Sequence, residues 1–415
     1  MDSSRTVPTD NLKLAATGIE GTLLIDLRWQ RGCVTEVSLS STRPLQMPRI
    51  FHGRSADEVM ATLPVVYSLC GMAQACAAAE ALEQAAGIEV SAQTRHSRRL
   101  LVAFETIKEH LWRIERDWAG FLGQRPDLSG ISDLLALMRT FRATLFPAGG
   151  ESILGGRPVE FDPVQLGTQL DQLESLLRRR VFAQSPQSWL ELSDRDGLSC
   201  WSRGSATLAQ AMLAQIDLLG EAEIGRTTMA ALGQLDNDAL NRLLSGADAD
   251  QFVAQPDWQQ KPRETTPYTR QRYHPLLISL EEELGNGLLT RMTARLVEVA
   301  ALVIFLRGGT GNTEELKTDV NSRGLAAGIG ISQVEAARGR LVHRVVLERA
   351  LVRSYRILAP TEWNFHPRGV LVQGLTGLQA RTQAELNRRA ASLINAIDPC
   401  VGYQLRIIPA EEEPQ

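Results

Sequence analysis

Apolar and polar residues alternate through "GTLLIDLRWQRGCVTEVSLS" on both sides of Arg31-Gly32. A period of two, broken by a turn-forming pair, predicts a β-hairpin. From "SADEVMATLPVVYSLCGMAQACAAAEALEQAAG" the pattern becomes helical. Ser55 stands where an N-cap belongs, Glu58 completes a capping box, and Gly87 supplies the stop. The part "AQACAAAEALEQAA" combines high helix propensity with small side chains, so neighbouring helices can approach it closely. Helical periodicity continues over roughly residues 94–123, 129–146, 167–181, 205–220 and 276–307. The breaks between them include "FPAGGESILGGRP", "SPQSW" and "AQPDWQQKPRETTP", and the last reads as a flexible surface loop. "GRLVHRVVLERALVRSYRILAP" predicts a second hairpin, and a last helix over about residues 376–396 delivers the chain to Asp398. Short sheets at both ends around a large helical middle make the fold class α+β.

Composition narrows this picture little. The length of 415 residues taken alone suggests about two or three domains. Hydrophobic content of 44% and charged content of 22% are those of a globular chain, and a net charge of −4 argues against a nucleic-acid binder. The basic clusters Arg95–Arg99 and Arg178–Arg180 fall in helical stretches and read as solvated helix faces. "LVEVAALVIFL" is too short to cross a bilayer and reads as a buried helix. The polar start of the chain shows no secretory leader, and five scattered cysteines fit a reducing compartment, so a cytoplasmic location is expected.

Candidate chemistry centres on two cysteines. Cys70 lies at an apparent helix start in "VVYSLCGMAQ", and Cys400 lies just past a helix end in "DPCVGY". Each taken alone is as well explained as a small buried hydrophobe. Cys33, Cys76 and Cys200 have no stronger claim. "RGGTGNTEE" lacks the Lys-Ser/Thr ending of a phosphate-binding loop, the six histidines show no metal-ligand spacing, and His343 in its strand-like context reads as structural.

Six segments, in order, carry a resemblance. "GIEGTLLIDL" is similar to the N-terminal R-I-E-G-H-x-x-I-D strand of nickel–iron hydrogenase large subunits. "FHGRSADEVMATLPVVYSLCGMAQACAAAEALE" resembles the segment that carries that family's first Cys-x-x-Cys pair and ends in Ala-Leu-Glu. "IKEHLWRI" resembles vHDHxxHFY, "VEAARGRLVH" resembles EAPRGxLxH, "ILAPTEWNFHPRG" resembles xxPTTWNxxPRD, and "DPCVGYQLRI" resembles DPCxxCxxH. The enzymes hold nickel and iron with four cysteines in two pairs. Here each pair keeps one cysteine and has a tyrosine for the other: Tyr67-x-x-Cys70 and Cys400-x-x-Tyr403. This degenerate pattern resembles the HupK/HoxV family of hydrogenase maturation proteins, which are similar to the large subunit without being hydrogenases.

The resemblance implies a large-subunit-like, mostly helical domain over residues 18–407. A variable helical middle is placed at about 150–275, with a flexible N-terminus at 1–17 and an acidic tail at 408–415. It implies a non-catalytic scaffold that transiently holds iron as Fe(CN)2(CO), with no nickel expected, before the iron reaches the hydrogenase large-subunit precursor. Maturation chaperones would deliver the iron group, with no nucleic acid or membrane involved. Cys70 and Cys400 would be the iron ligands, and a helix N-terminus at Cys70 would favour its thiolate. Arg338 and Thr361 would each donate to a cyanide, Glu109 and Asp398 would orient Arg338, and Gln74 would lie beside the cofactor. Glu20 matches a proton-relaying glutamate and is ranked as a remnant. Tyr67 and Tyr403 would fill the volume that nickel and its ligands occupy. A metal-free chaperone of the large subunit and an iron-only hydrogen sensor stand as alternatives.

Overall fold

A computed structural model describes residues 21–147, 149–156, 162–309 and 325–409. Glu20, most of "RGGTGNTEE", and all but the first two residues of the acidic tail lie outside them. The predicted first hairpin is formed by β1 (Thr22–Gln30) and β2 (Cys33–Ser41), antiparallel around Arg31-Gly32. The C-terminal strand β6 (Gly402–Pro409) lies parallel to β1, with Leu23 opposite Tyr403, so both ends of the described chain share one sheet of order β2-β1-β6. The second predicted hairpin, β4 (Gly339–Glu348) and β5 (Leu351–Leu358), gains a third antiparallel strand, β3 (Ile329–Ala336).

The Ser55 capping box starts α1 (Ala56–Val66). The helical stretch is then interrupted: a 3-10 turn, Ser68–Cys70, separates α1 from α2 (Gly71–Ala86), which ends at Gly87. The small residues of α2 admit a sheet rather than mainly a helix. A Cβ placed on Gly330 of β3 would lie 1.8 Å from the Ala81 carbonyl oxygen, so strand and helix backbones touch. Helices α3 (Ala92–Trp112), α4 (Ser129–Leu145), α5 (Pro163–Leu177) and α6 (Leu288–Gly308) build the main hydrophobic cluster, which includes Trp118 and Trp189. α7 (Pro360–Asn364) follows β5, and α8 (Gln383–Ile397) packs under the sheet of the chain ends.

Several expectations change. The predicted 276–307 helix is two helices, Pro275–Leu284 and α6, broken at Gly285-Asn286-Gly287, where Asn286 Oδ1 accepts from Thr227 N at 2.8 Å. The last helix begins at Gln383, capped by Thr382, not near 376. The surface loop predicted around 254–267 ends in buried chain, because Glu264 receives Arg291 at 2.9 and 3.1 Å and Thr265 N donates to Asn364 at 2.8 Å. The basic clusters are not wholly solvated faces: Arg98 is buried in a two-pronged pair with Glu83, both contacts 2.8 Å, and Arg180 bridges Glu115 and Asp127. No helix of the described residues is long and apolar enough to cross a membrane.

Candidate functional site

Cys70 is placed by the break between two helices. Tyr67 (φ −114°) and Cys70 (φ −121°) leave the helical region, so the chain turns once before Gly71 opens α2. The first free amides of α2 are taken by a carboxylate from α3: Met72 N and Ala73 N donate to Glu105 Oε1 and Oε2 at 3.0 and 2.9 Å. This overturns the expectation of a thiolate eased by the helix N-terminus. Burial pushes the Cys70 thiol up to about 12, and the charge of Glu105 adds to the effect. The helix end is neutralised before its field can act on the sulfur.

Cys400 is placed by a helix end. Asp398 closes α8 in the left-handed region (φ 68°), and its N–H still donates to Ile394 O at 2.9 Å. Two residues on, Cys400 N donates to Thr361 Oγ1 at 3.2 Å and Thr361 Oγ1 donates to Cys400 Sγ at 2.8 Å. Thr361 therefore reaches the site through Cys400. Its single hydroxyl hydrogen is donated to the sulfur, and Thr361 is not among the cavity-lining residues, so it is not placed as a cyanide donor.

The two cysteines, one from each end of the sequence, line the same cavity of about 80 Å³, together with Tyr67, Gln74, Arg338 and Arg43. Arg338 projects from the β3–β4 turn. Gly339 beside it (φ 129°) packs so tightly that a Cβ would lie 1.9 Å from the Thr265 carbonyl oxygen. Arg338 Nη2 donates to Glu109 at 3.0 Å and Nε donates to Asp398 at 3.2 Å. The expected pair of orienting carboxylates is thus brought to this guanidinium. Asp398 also meets Arg113 at 2.7 Å and Arg295 at 3.6 Å. Burial opposes its charge, but these three guanidiniums hold its carboxyl well below the usual range. Glu109 is lowered likewise, against burial, by Arg338 and Lys108.

Gln74 sits in a chain of hydrogen bonds ending on sulfur. Its Nε2 lies 3.8 Å from Cys70 Sγ, and its Oε1 accepts from His343 Nε2 at 2.9 Å. The ring proton is then on Nε2, and His343 Nδ1 accepts from the Tyr355 hydroxyl at 2.9 Å. Burial lowers His343 to about 3, so the ring is neutral. His343 thus holds Gln74 in place beside Cys70.

The tyrosines are not equivalent. Tyr67 lines the cavity. Tyr403 packs with the cluster under the chain-end sheet and is not among the cavity-lining residues, which corrects the expectation that both fill its volume. Sequence reasoning missed Arg43, whose Nη1 donates to Glu362 at 2.5 Å beside the cysteines. The one visible signal was Glu362 itself, standing where the Pro-Thr-Thr-Trp-Asn motif has its second threonine. Among the described residues, no group of three or more His, Cys, Asp or Glu is placed to hold a metal ion.

No family model matches the chain. The hydrogenase expression/formation protein HupK of Bradyrhizobium diazoefficiens is 31% identical over 381 residues, which are 91% of this chain and 94% of that protein. The chain belongs to the HupK/HoxV family of hydrogenase expression/formation proteins. The relative HoxV of Cupriavidus necator is 29% identical over 380 residues, covering 88% of this chain and 91% of its own. Among solved structures, the nickel–iron–selenium hydrogenase of D. vulgaris Hildenborough in its as-isolated oxidised state aligns with a TM-score of 0.65. That alignment covers 91% of this chain and 98% of the hydrogenase chain at 16% identity. The fold is accordingly α+β and hydrogenase large-subunit-like, as the motifs implied.

Proposed function

We propose that the chain is a non-catalytic scaffold of hydrogenase assembly that binds an Fe(CN)2(CO) group between Cys70 and Cys400 and passes it to the large-subunit precursor. The observation that supports this most directly is the meeting of those two thiols in one cavity walled by Arg338. The relatives' names, expression/formation proteins, supply the coarser role in hydrogenase production.

The chemistry of the donors fits an iron cargo that brings its own ligands. Low-spin ferrous iron carrying cyanide and carbonyl accepts soft thiolates. Two thiols from the protein leave the remaining positions to the diatomic ligands, and the cavity has several times the ~10–15 Å³ that admits one water. Cys70 has to give up its proton on loading, because a coordinating thiol is deprotonated by the metal. Burial resists that loss, so binding is weaker than at a preformed thiolate. Weak holding suits a cargo that must leave again. Chaperones of the maturation machinery would deliver the iron group in the cytoplasm, and Tyr67, in the place of a third thiol, would disfavour nickel. The same buried, protonated Cys70 also favours a second reading, a metal-free chaperone of the large subunit.

Iron content separates the two. The protein is isolated without oxygen after co-expression with the maturation machinery. Cys70→Ala and Cys400→Ala should each lose most of the bound iron, while Cys33→Ala, Cys76→Ala and Cys200→Ala keep it. Equal iron in all five variants removes the proposed ligands, and no iron in any form favours the metal-free reading.

A further inference from the structure

We propose that Arg43 is a third contact to the cargo, donating from Nε to a cyanide nitrogen; this rests on the scaffold reading above. Among the described residues, several buried side-chain nitrogens and oxygens have no hydrogen-bond partner, and one of them belongs to a residue lining the cysteine cavity: Arg43 Nε. A buried donor without a partner loses its water without compensation, so natural folds rarely keep one without a use. Here the rest of the side chain is well held. Nη1 donates to Glu362 at 2.5 Å, and the side chain is only 13% exposed. Glu362 fixes the guanidinium, and the Nε–H is left over.

Of the other donors assigned to the cargo from the sequence, Thr361 is engaged and Arg338 commits two of its three guanidinium nitrogens, leaving one to face a ligand. Thr361 Oγ1 donates to Cys400 Sγ, and Arg338 uses Nε and Nη2 on Asp398 and Glu109. A group with two cyanides presents two good acceptor nitrogens, whereas a metal carbonyl oxygen accepts poorly. A single unpartnered N–H on a cavity-lining side chain suits the end of one linear ligand. Arg43 would therefore set which position a cyanide takes, while the apolar wall of Ala336, Leu341 and Ile357 is left to the carbonyl. Glu362, which holds Arg43, stands where the hydrogenase motif has a threonine, so the pair would belong to the holding task, not to hydrogen chemistry.

Arg43→Lys keeps a cation for Glu362 and deletes the Nε–H; Arg43→Met deletes both. Infrared spectra of the loaded protein, isolated without oxygen, read the outcome. In Arg43→Lys, the pair of cyanide bands should shift, more than the carbonyl band does, while iron content changes less than twofold. Arg43→Met should lose iron several-fold. If the Met variant fails to fold, the Lys variant decides alone. Both cyanide bands unchanged in Arg43→Lys, with wild-type bands present, overturns the role of Arg43 and leaves the scaffold reading standing. Absence of cyanide and carbonyl bands in the wild type overturns that reading and this inference with it.

Discussion

Asp398 shows how much one residue carries. It ends α8 with φ 68°, a region that costs most side chains but which Asp and Asn tolerate. From there its carboxylate holds Arg113, Arg338 and Arg295, so the residue that turns the chain toward Cys400 also neutralises the arginine beside it. Asp398→Asn preserves the backbone and removes the charge. Breaking a buried pair in this way should destabilise the fold by about 3–5 kcal/mol at pH 7, measured by urea unfolding. The pH dependence has a definite sign. Because the folded-state carboxyl is held low, its contribution is complete above the unfolded value of about 4 and fades as pH falls below it. The gap between wild type and variant should therefore narrow from pH 7 to pH 3. A constant gap would show that packing, not charge, is what the substitution removes. Cys70, Cys400, Arg338, Glu109 and Asp398 were legible in the sequence because motifs of known order carried them. Arg43 was not. It lies in an irregular loop, and only its partner Glu362 departed visibly from a motif.

At the scale of elements, the site depends on α2 lying hard against β3 and β4. α2 carries Cys70 at its start and Gln74 one turn on, and β4 carries the His343 that orients Gln74. The contact is made close by alanines on the helix and Gly330 on the strand. Gly330→Ala would force a Cβ into the Ala81 carbonyl and push the two elements apart. The expected cost is about 1–3 kcal/mol in thermal or urea unfolding, with the Gln74–Cys70 contact loosened. Unchanged stability would mean that the strand shifts freely against the helix. The small residues of α2 were plain in the sequence. That their partner would be a sheet was not, because period alone does not say what an element packs against. The same limit applies to the 276–307 stretch: its apolar period runs through Gly285-Asn286-Gly287, and only the three-dimensional turn against Thr227 separates the two helices.

For the whole molecule, the parallel pairing of β1 with β6 closes the chain on itself and brings Cys400 to the cavity of Cys70. Such a contact is non-local and invisible to any window of sequence; only the ordered motifs pointed to it. The closure also separates the two tyrosines. Tyr67 faces the cavity, and Tyr403, opposite Leu23 in the sheet, belongs to the core beneath. Tyr67→Cys should add a usable thiol, raise iron retention and slow release, so that hydrogenase maturation in cells falls as metal binding rises. Tyr403→Cys should change neither. Equal effects from the two substitutions, measured as iron content and as hydrogenase activity in a strain relying on the variant, would contradict this placement.

Two thiols from opposite ends of the chain are proposed to share an iron group bearing cyanide and carbonyl. An infrared spectrum of the wild-type protein, purified without oxygen after co-expression with the maturation machinery, tests this most directly. Two cyanide bands and one carbonyl band should be present in the wild type and lost in both Cys70→Ala and Cys400→Ala. Iron-free wild-type protein with no such bands, from cells in which hydrogenase matures normally, would contradict it.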